Sequence, residues 1–242
     1  MQLMQTRSRH AVRILATLAA LVLAALALVT GCSSDQDSSG GDLPDPAQLL
    51  TQSAEVTRNQ QSAHLVITVE GEIEDLPVDV LEGDLTNAPT VAAQGSTDLR
   101  FMGQKLEGVK FVVVDGTLYA AMTGDSYQNF GPAADIYDVS AILNPDLGLA
   151  NVLANFTDAR AEGREKIDGV QTVRITGEVS ADAVNKIAPQ LHAEGPVPGT
   201  AWIREDGDHE LVQVKLQPKP DTSITMSLSD WGKPVTVTKP AA

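Results

Sequence analysis

The sequence predicts an α+β domain: a large curved antiparallel sheet of about ten strands, a half-barrel, with helices gathered on its concave face. Three observations predict it. Apolar residues alternate with polar ones at period two through most of the chain after Ser62. Asp115-Gly116, Asp168-Gly169 and Asp206-Gly207 supply tight turns between such segments. Stretches of helical period occur in clusters rather than between successive strands.

Asp45-Pro46 provides an N-cap and a first-turn proline, and Leu49, Leu50, Ser53, Ala54 and Val56 follow at helical spacing, so an amphipathic helix starts there. From Ser62 the period becomes two, with Leu65, Ile67 and Val69 on one face of a half-buried strand. The sharpest alternation runs from Thr90 to Phe101. Val91, Ala93, Gly95, Thr97, Leu99 and Phe101 share one face, and Thr90, Ala92, Gln94, Ser96, Asp98 and Arg100 share the other. Val109, Phe111 and Val113 lead into the Asp115-Gly116 turn, and Leu118, Ala120 and Met122 lead out of it. Residues 131–161 break this rhythm, and Leu149, Val152, Leu153 and Phe156 form one helical stripe. Strands resume near Gly163 and turn at Asp168-Gly169, which sets Val173, Ile175, Gly177 and Val179 on one face. Ser180-Ala181-Asp182 opens a further helix whose apolar side is Val184, Ile187 and Leu191. The last strands are 200–204, 211–216 and 224–228, with a short tail strand at 235–237, and no internal repeat is present.

The domain is expected to begin at residue 46. Before it, Arg7, Arg9 and Arg13 form a basic start, and Ile14 to Val29 is an almost uninterrupted apolar run ending in Thr30-Gly31. That is the pattern of a secretory signal peptide, residues 1–31, and about 16 apolar residues fall short of the roughly 20 that a spanning helix needs. Leu28-Val29-Thr30-Gly31-Cys32 resembles the bacterial lipobox, which makes Cys32, the single cysteine, the expected site of lipidation. Residues 33–45 are Ser-, Gly- and Asp-rich and cannot order themselves. They read as a tether reaching at most about 45 Å. The mature protein is therefore expected to be exported and held by acyl chains at the outer face of the plasma membrane.

Three of the 17 basic residues precede Cys32 and none of the 32 acidic ones do, which leaves 14 against 32, a formal charge of −18. Nucleic acid is excluded as a partner by that balance, and an anionic membrane surface repels such a domain, so anchoring falls to the acyl chains. A lone cysteine allows no internal disulfide.

The inward faces are rich in small and β-branched residues, and aromatics make up only 4% of the chain. The residues expected to line the inside are Leu65, Ile67 and Val69; Val91, Ala93, Gly95, Thr97 and Leu99; Val109, Phe111 and Val113; Leu118 and Ala120; Val152 and Phe156; and Val173 and Ile175. Small residues at mid-strand leave either a methyl-lined hollow suited to an apolar ligand or room for helices to approach the sheet more closely. Periodicity alone leaves both open. Ile142, Leu143, Leu147 and Leu149 surround the breakers Asn144-Pro145-Asp146 and form either an apolar lip at the mouth of such a hollow or an ordinary loop before a core helix.

Catalytic and cofactor motifs are not found. His64, His192 and His209 have no metal-site spacing, no G-x-S-x-G or phosphate-binding glycine pattern occurs, and Cys32 is taken by the anchor. Solvated positions are expected for His64 and His209, and solvated turns for Glu70, Glu72, Glu74 and Asp75 and for Asp206-Gly207-Asp208. No enzyme, metal or cofactor is expected.

The runs FGPAADIYDVSAILNPDLGLANVLANF (130–156), AEGREKIDGVQTVRITGEVS (161–180) and SDWGKPVTVTKP (229–240), together with the lipobox, closely resemble the LppX/LprA/LprF/LprG family of mycobacterial lipoproteins. The resemblance spans nearly the whole mature chain. It implies a half-barrel sheet whose concave side, covered by helices, encloses a cavity for the acyl chains of triacylated glycolipids (phosphatidylinositol mannosides, lipomannan, lipoarabinomannan) and of triacylglycerol. It also implies a carrier working beside an efflux pump of the major facilitator type, moving lipids from the plasma membrane toward the outer envelope. Only Cys32 carries over residue by residue. A scaffold lipoprotein that supports a membrane transporter, a binding module for a soluble ligand and an envelope lipid enzyme are the competing readings.

Overall fold

The structure, a computed structural model, describes residues 42–74 and 76–242. Leu43–Ala242 form one compact unit. The expected signal segment, Cys32, residues 33–41 of the tether, and Asp75 lie outside the described residues.

Helix α1 (Pro46–Arg58) starts as the sequence demands: Asp45 Oδ1 accepts from the Gln48 N–H at 2.8 Å, Pro46 fills the first turn, and Leu49, Leu50, Ser53, Ala54 and Thr57 form the buried face. Six strands follow as a meander: β1 (Ser62–Glu70), β2 (Val78–Thr86), β3 (Ala92–Phe101), β4 (Gln104–Val114), β5 (Thr117–Ala121) and β6 (Gln128–Pro132). Short 3₁₀ turns at Ala133–Asp135 and Val139–Ala141 lead to α2 (Leu149–Ala154). A second meander, β7 (Phe156–Ile167), β8 (Val170–Val179), β9 (Val197–Arg204), β10 (Leu211–Lys219) and β11 (Thr222–Ser229), is interrupted by α3 (Ala181–Ile187) and a 3₁₀ turn at Pro189–Leu191.

All eleven strands belong to one antiparallel sheet in the order β6-β5-β4-β3-β2-β1-β11-β10-β9-β8-β7. The two meanders join through β1 and β11, where Leu65 faces Leu228 and Ile67 faces Met226. The sheet stays open between its edge strands. The expected α+β fold on a large open antiparallel sheet is therefore the one observed, with one strand more than the expected ten.

The elements differ from expectation in several places: β2 and β6 are not among the expected strands, and β7 starts at Phe156 rather than near Gly163. Residues 235–237 form no strand. Leu191 lies outside α3, which ends at Ile187. Phe156 is not on a helix. The chain leaves α2 at Asn155, and Phe156 opens β7 opposite Val179, because Thr157 and the residues after it find ladder partners on β8. Helical spacing of Phe156 from Leu149 and Val152 was coincidental with its strand role.

Inward residues align across the sheet because register is fixed by burial. Leu85, Ala93, Val113 and Leu118 make one cross-strand row on β2–β5, and Val173 faces Ile203 while Ile175 faces Ala201 on β8–β9. The helices cover this face. Leu49 and Leu50 of α1, Leu149, Val152 and Leu153 of α2, and Val184 and Ile187 of α3 are each no more than 3% exposed.

Candidate functional site: an apolar seam between sheet and helices

The inner faces of β10 and β11 meet α2 and the end of α3 along a seam. Alternation sends Val214 and Leu216 inward from β10 and Ile224 and Met226 from β11. Helical spacing sends Leu149 and Val152 toward them from α2, and Ile187 with Ala188 closes the end. These eight residues enclose a hollow of about 10 Å³. Each is aliphatic or a thioether, and a space of that size holds about one water-sized sphere.

The seam is thus apolar and nearly closed. Among the described residues the hollow at this seam is far smaller than the small residues suggested, and one reason is local. The ring of Phe156 lies over Gly177 and Gly199: a β-carbon on Gly177 would stand 3.1 Å from Phe156 Cδ1, and one on Gly199 would stand 2.9 Å from Phe156 Cζ. The glycines seat an aromatic ring instead of leaving a void.

The expected lining residues occupy the inward face but not one site. Leu65, Val69, Ala93, Val109, Val113, Ala120, Val152, Val173 and Ile175 are buried, and Ile67, Phe111, Leu118 and Phe156 pack half-buried against them. Val91, Gly95, Thr97 and Leu99 are partly exposed. Only Val152 of the set borders the hollow. Among the residues that sequence reasoning did not place at a cavity are Ile187, Ala188, Val214, Leu216, Ile224 and Met226. Their alternation was legible. What the sequence does not carry is the packing of the β10–β11 hairpin against α2 and the end of α3.

The expected mouth also changes. Leu147 alone of the four residues is exposed, at 38%, while Ile142, Leu143 and Leu149 are 5%, 4% and 1% exposed and belong to the core. Backbone bonds hold the segment closed: Leu149 donates to the Ile142 carbonyl at 3.0 Å and Gly148 to that of Asn144 at 2.9 Å. Asn144 Oδ1 accepts from the Asp146 and Leu147 amides. This is a compact turn, with one leucine at its surface.

Tyr137 ties the same connection to α3. Its hydroxyl donates to the Ile187 carbonyl at 2.8 Å, a group at the helix end with no intrahelical partner to spare. Burial, with the Asp138 carboxylate adding to it, pushes the phenol well above the ordinary tyrosine range. The shift is upward, so its stabilising contribution is whole below the unfolded value near 10 and is lost as pH rises through the folded value. Tyr137→Phe is expected to lower stability at pH 7 by about 1 kcal/mol and to flatten the loss above pH 10, as measured by urea unfolding across that range.

The opposite face of the sheet is different in kind. A wider groove of about 470 Å³, open to solvent, is lined there by His64, Glu82, Asp84, Gln94, Ser96 and Lys110 among others. Phe111, Val112 and Tyr127 also border it, but charged and polar groups stand among them, so it offers an acyl chain no continuous apolar wall. His64 is more engaged than its position at a strand start implied, with Nδ1 2.8 Å from Asp84 Oδ1 and Nε2 3.7 Å from Glu82. His209 Nδ1 lies 3.1 Å from the Arg204 carbonyl. Among the described residues no group of three or more His, Cys, Asp or Glu side chains is placed to hold a metal ion, and no helix is long and apolar enough to cross a membrane.

The sequence profile of the LppX_LprAFG lipoprotein family matches residues 45–237, which is nearly all of the compact unit. The chain belongs to this family. Members named "Lipoarabinomannan carrier protein LprG" are close to it: that of Mycolicibacterium smegmatis is 62% identical over 240 residues, covering 99% of this chain and all of the relative. That of Mycobacterium tuberculosis is 52% identical, covering 98% and 99%. Among family structures, LprF from Mycobacterium bovis superposes with a TM-score of 0.75 at 32% identity, covering 84% of this chain and 100% of its own. LppX from M. tuberculosis gives a TM-score of 0.62 at 29% identity, covering 81% and 100%. The family is one of lipoproteins and named carriers rather than of enzymes, and the expected kinship and fold are both met.

Proposed function

We propose that this chain is a membrane-anchored lipid carrier whose acyl-chain site is the seam between sheet and helices. The supporting observation is chemical: all eight residues around the residual hollow present carbon or thioether sulfur, from two layers held together by packing alone. Relatives more than half identical over nearly their whole length carry the name of lipoarabinomannan carriers. The cargo we assign is triacylated glycolipid (phosphatidylinositol mannosides, lipomannan, lipoarabinomannan) and triacylglycerol, carried from the plasma membrane toward the outer envelope. Cys32 bears the anchor, residues 33–45 the tether, and a major facilitator efflux pump is the proposed membrane partner.

Lifting three chains of about 16 carbons into water costs roughly 0.8 kcal/mol per CH₂, near 40 kcal/mol in all. A carrier does not need to exceed that. Aliphatic walls resemble the bilayer interior, so loading and unloading both run near balance without nucleotide hydrolysis. Specificity then rests with polar contacts to the head group.

One observation favours a second reading, the transporter scaffold: the seam is nearly closed. Native mass spectrometry of the full chain from a lipid-rich envelope separates the two. A retained multi-chain lipid is the expected result, and a bare chain would leave the scaffold.

A further inference from the structure

Three hairpins in this protein share one turn. Met102-Gly103, Asp115-Gly116 and Asp168-Gly169 each connect two strands by two residues of positive φ, with values of 50 and 76, 52 and 72, and 47 and 86 degrees. The first position of such a turn suits Asn or Asp, whose short polar side chains tolerate the left-handed region. Two of the three turns use Asp. The third puts methionine there, 89% exposed, beside Phe101 at 57%.

Position in the sheet separates the turns as well. The register places Asp115-Gly116 next to the start of β3 and Met102-Gly103 at its end, so the apolar turn and the polar turn occupy opposite ends of β4. Asp168-Gly169 lies at the same end of the sheet as Asp115-Gly116. The apolar tip also projects. On the β5 side the ladder stops at Lys110–Ala121, so residues 104–109 extend past β5 by about 20 Å at the usual rise per residue. On the β2 side pairing runs on to Val78–Leu99 and Arg100 donates its N–H to the Pro77 carbonyl, so there only the turn itself stands clear. A β-carbon on Gly103 would meet no atom within 4 Å.

Charge completes the pattern. In a chain with 32 acidic and 17 basic residues, the six-residue tip Arg100–Lys105 holds two cations and no carboxylate. Arg100 and Lys105 stand on its shoulders, held by Asp79 and Glu107 at 2.9 Å each, behind the apolar pair. Two bare apolar side chains on an open tip are too little for a stable protein interface, which needs about 1,000 Å² of matched surface. They suit a bilayer surface: apolar groups enter the acyl boundary while cations stay at phosphate level.

We propose that the β3–β4 hairpin tip is a membrane-inserting wedge, with Phe101 and Met102 entering the lipid and Arg100 and Lys105 meeting the phosphates. The tip then turns one end of the sheet toward the bilayer, while the chain's overall negative charge holds the rest of the domain off the surface. This inference uses the anchored-carrier reading only to bring the chain to a membrane and does not require cargo.

The test uses the full chain in phosphatidylcholine–phosphatidylglycerol vesicles. A Met102→Cys variant and an Asp115→Cys variant each carry an environment-sensitive fluorophore, and the unsubstituted chain reports any labelling at Cys32. The Met102 probe is expected to shift to the blue, to lose most of its quenching by aqueous iodide and to be quenched by spin-labelled lipid. The Asp115 probe is expected to do none of these, and Phe101→Ser in the Met102→Cys background is expected to reverse the shift. Equal exposure of both probes to iodide, or equal shielding of both, overturns the wedge. Lipid retention by mass spectrometry of the same preparations reports separately on the carrier reading.

Discussion

Replacing Phe156 with alanine is expected to lower the unfolding free energy by about 3 kcal/mol, the low end of the range for an aromatic deletion because the ring is half-buried. The cause is the seat formed by Gly177 and Gly199, which the ring shares at Gly199 with Val179 Cγ2. Gly199→Ala alone should also destabilise, since its β-carbon would stand 2.9 Å from the ring and 2.8 Å from Val179 Cγ2, both inside van der Waals contact. The double variant decides whether ring and glycine act as a unit. With the ring gone the new methyl keeps only its contact with Val179 Cγ2, whose side chain then has room to shift, so the combined loss should fall short of the sum of the single losses, a coupling expected for residues in contact. Urea unfolding at unchanged m-value measures all three. A loss under about 1 kcal/mol for Phe156→Ala would mean that the ring only covers surface.

Most strands were legible in the sequence because one face of each is buried and period two is strict there. Val173, Ile175 and Val179 share one face of β8 and all three are fully buried, with Thr172 the one buried residue on the other face. Phe156 shows the limit. Four apolar residues at helical spacing describe a stripe only while the backbone stays helical, and the ladder to β8 ended the helix at Ala154. The site was legible in composition and not in position. Small residues such as Gly177 signalled a space between the layers, but a space and its filling by a distant aromatic carry the same sequence signature. The residues that do border the hollow come from β10, β11, α2 and α3, separated by up to 77 positions (Leu149 to Met226), and the β9–β10 and β10–β11 ladders align the strands that carry four of them. The tip at Met102 was overlooked for the opposite reason. Its backbone is an ordinary hairpin turn, and only its exposure beside two polar turns of the same shape sets it apart.

Lipid loading is expected to move α3 away from β10 by several ångströms. The seam now holds about 10 Å³, whereas a multi-chain lipid needs a space at or above the upper end of the roughly 300–1,000 Å³ found for small-molecule pockets. Opening it in water is not a cheap fluctuation. Eight aliphatic or thioether residues would lose burial that is worth about 1.5–3 kcal/mol for each large side chain, so the empty open form lies roughly 10 kcal/mol or more above the closed one. At that gap the open state is populated far below detection, and acyl chains must enter as the layers part. Coupling of opening to entry places loading at a bilayer, where chains replace the lost contacts as they break. Spin labels on Lys186→Cys in α3 and Lys215→Cys on the outer face of β10 report the separation, since both positions keep side chains at least a third exposed. The pair distance in the lipid-free full chain should be single and short, and in vesicle-loaded chain it should lengthen. An unchanged distance with lipid retained would move the cargo away from this seam, toward the half-exposed inner face around Thr97 and Leu99.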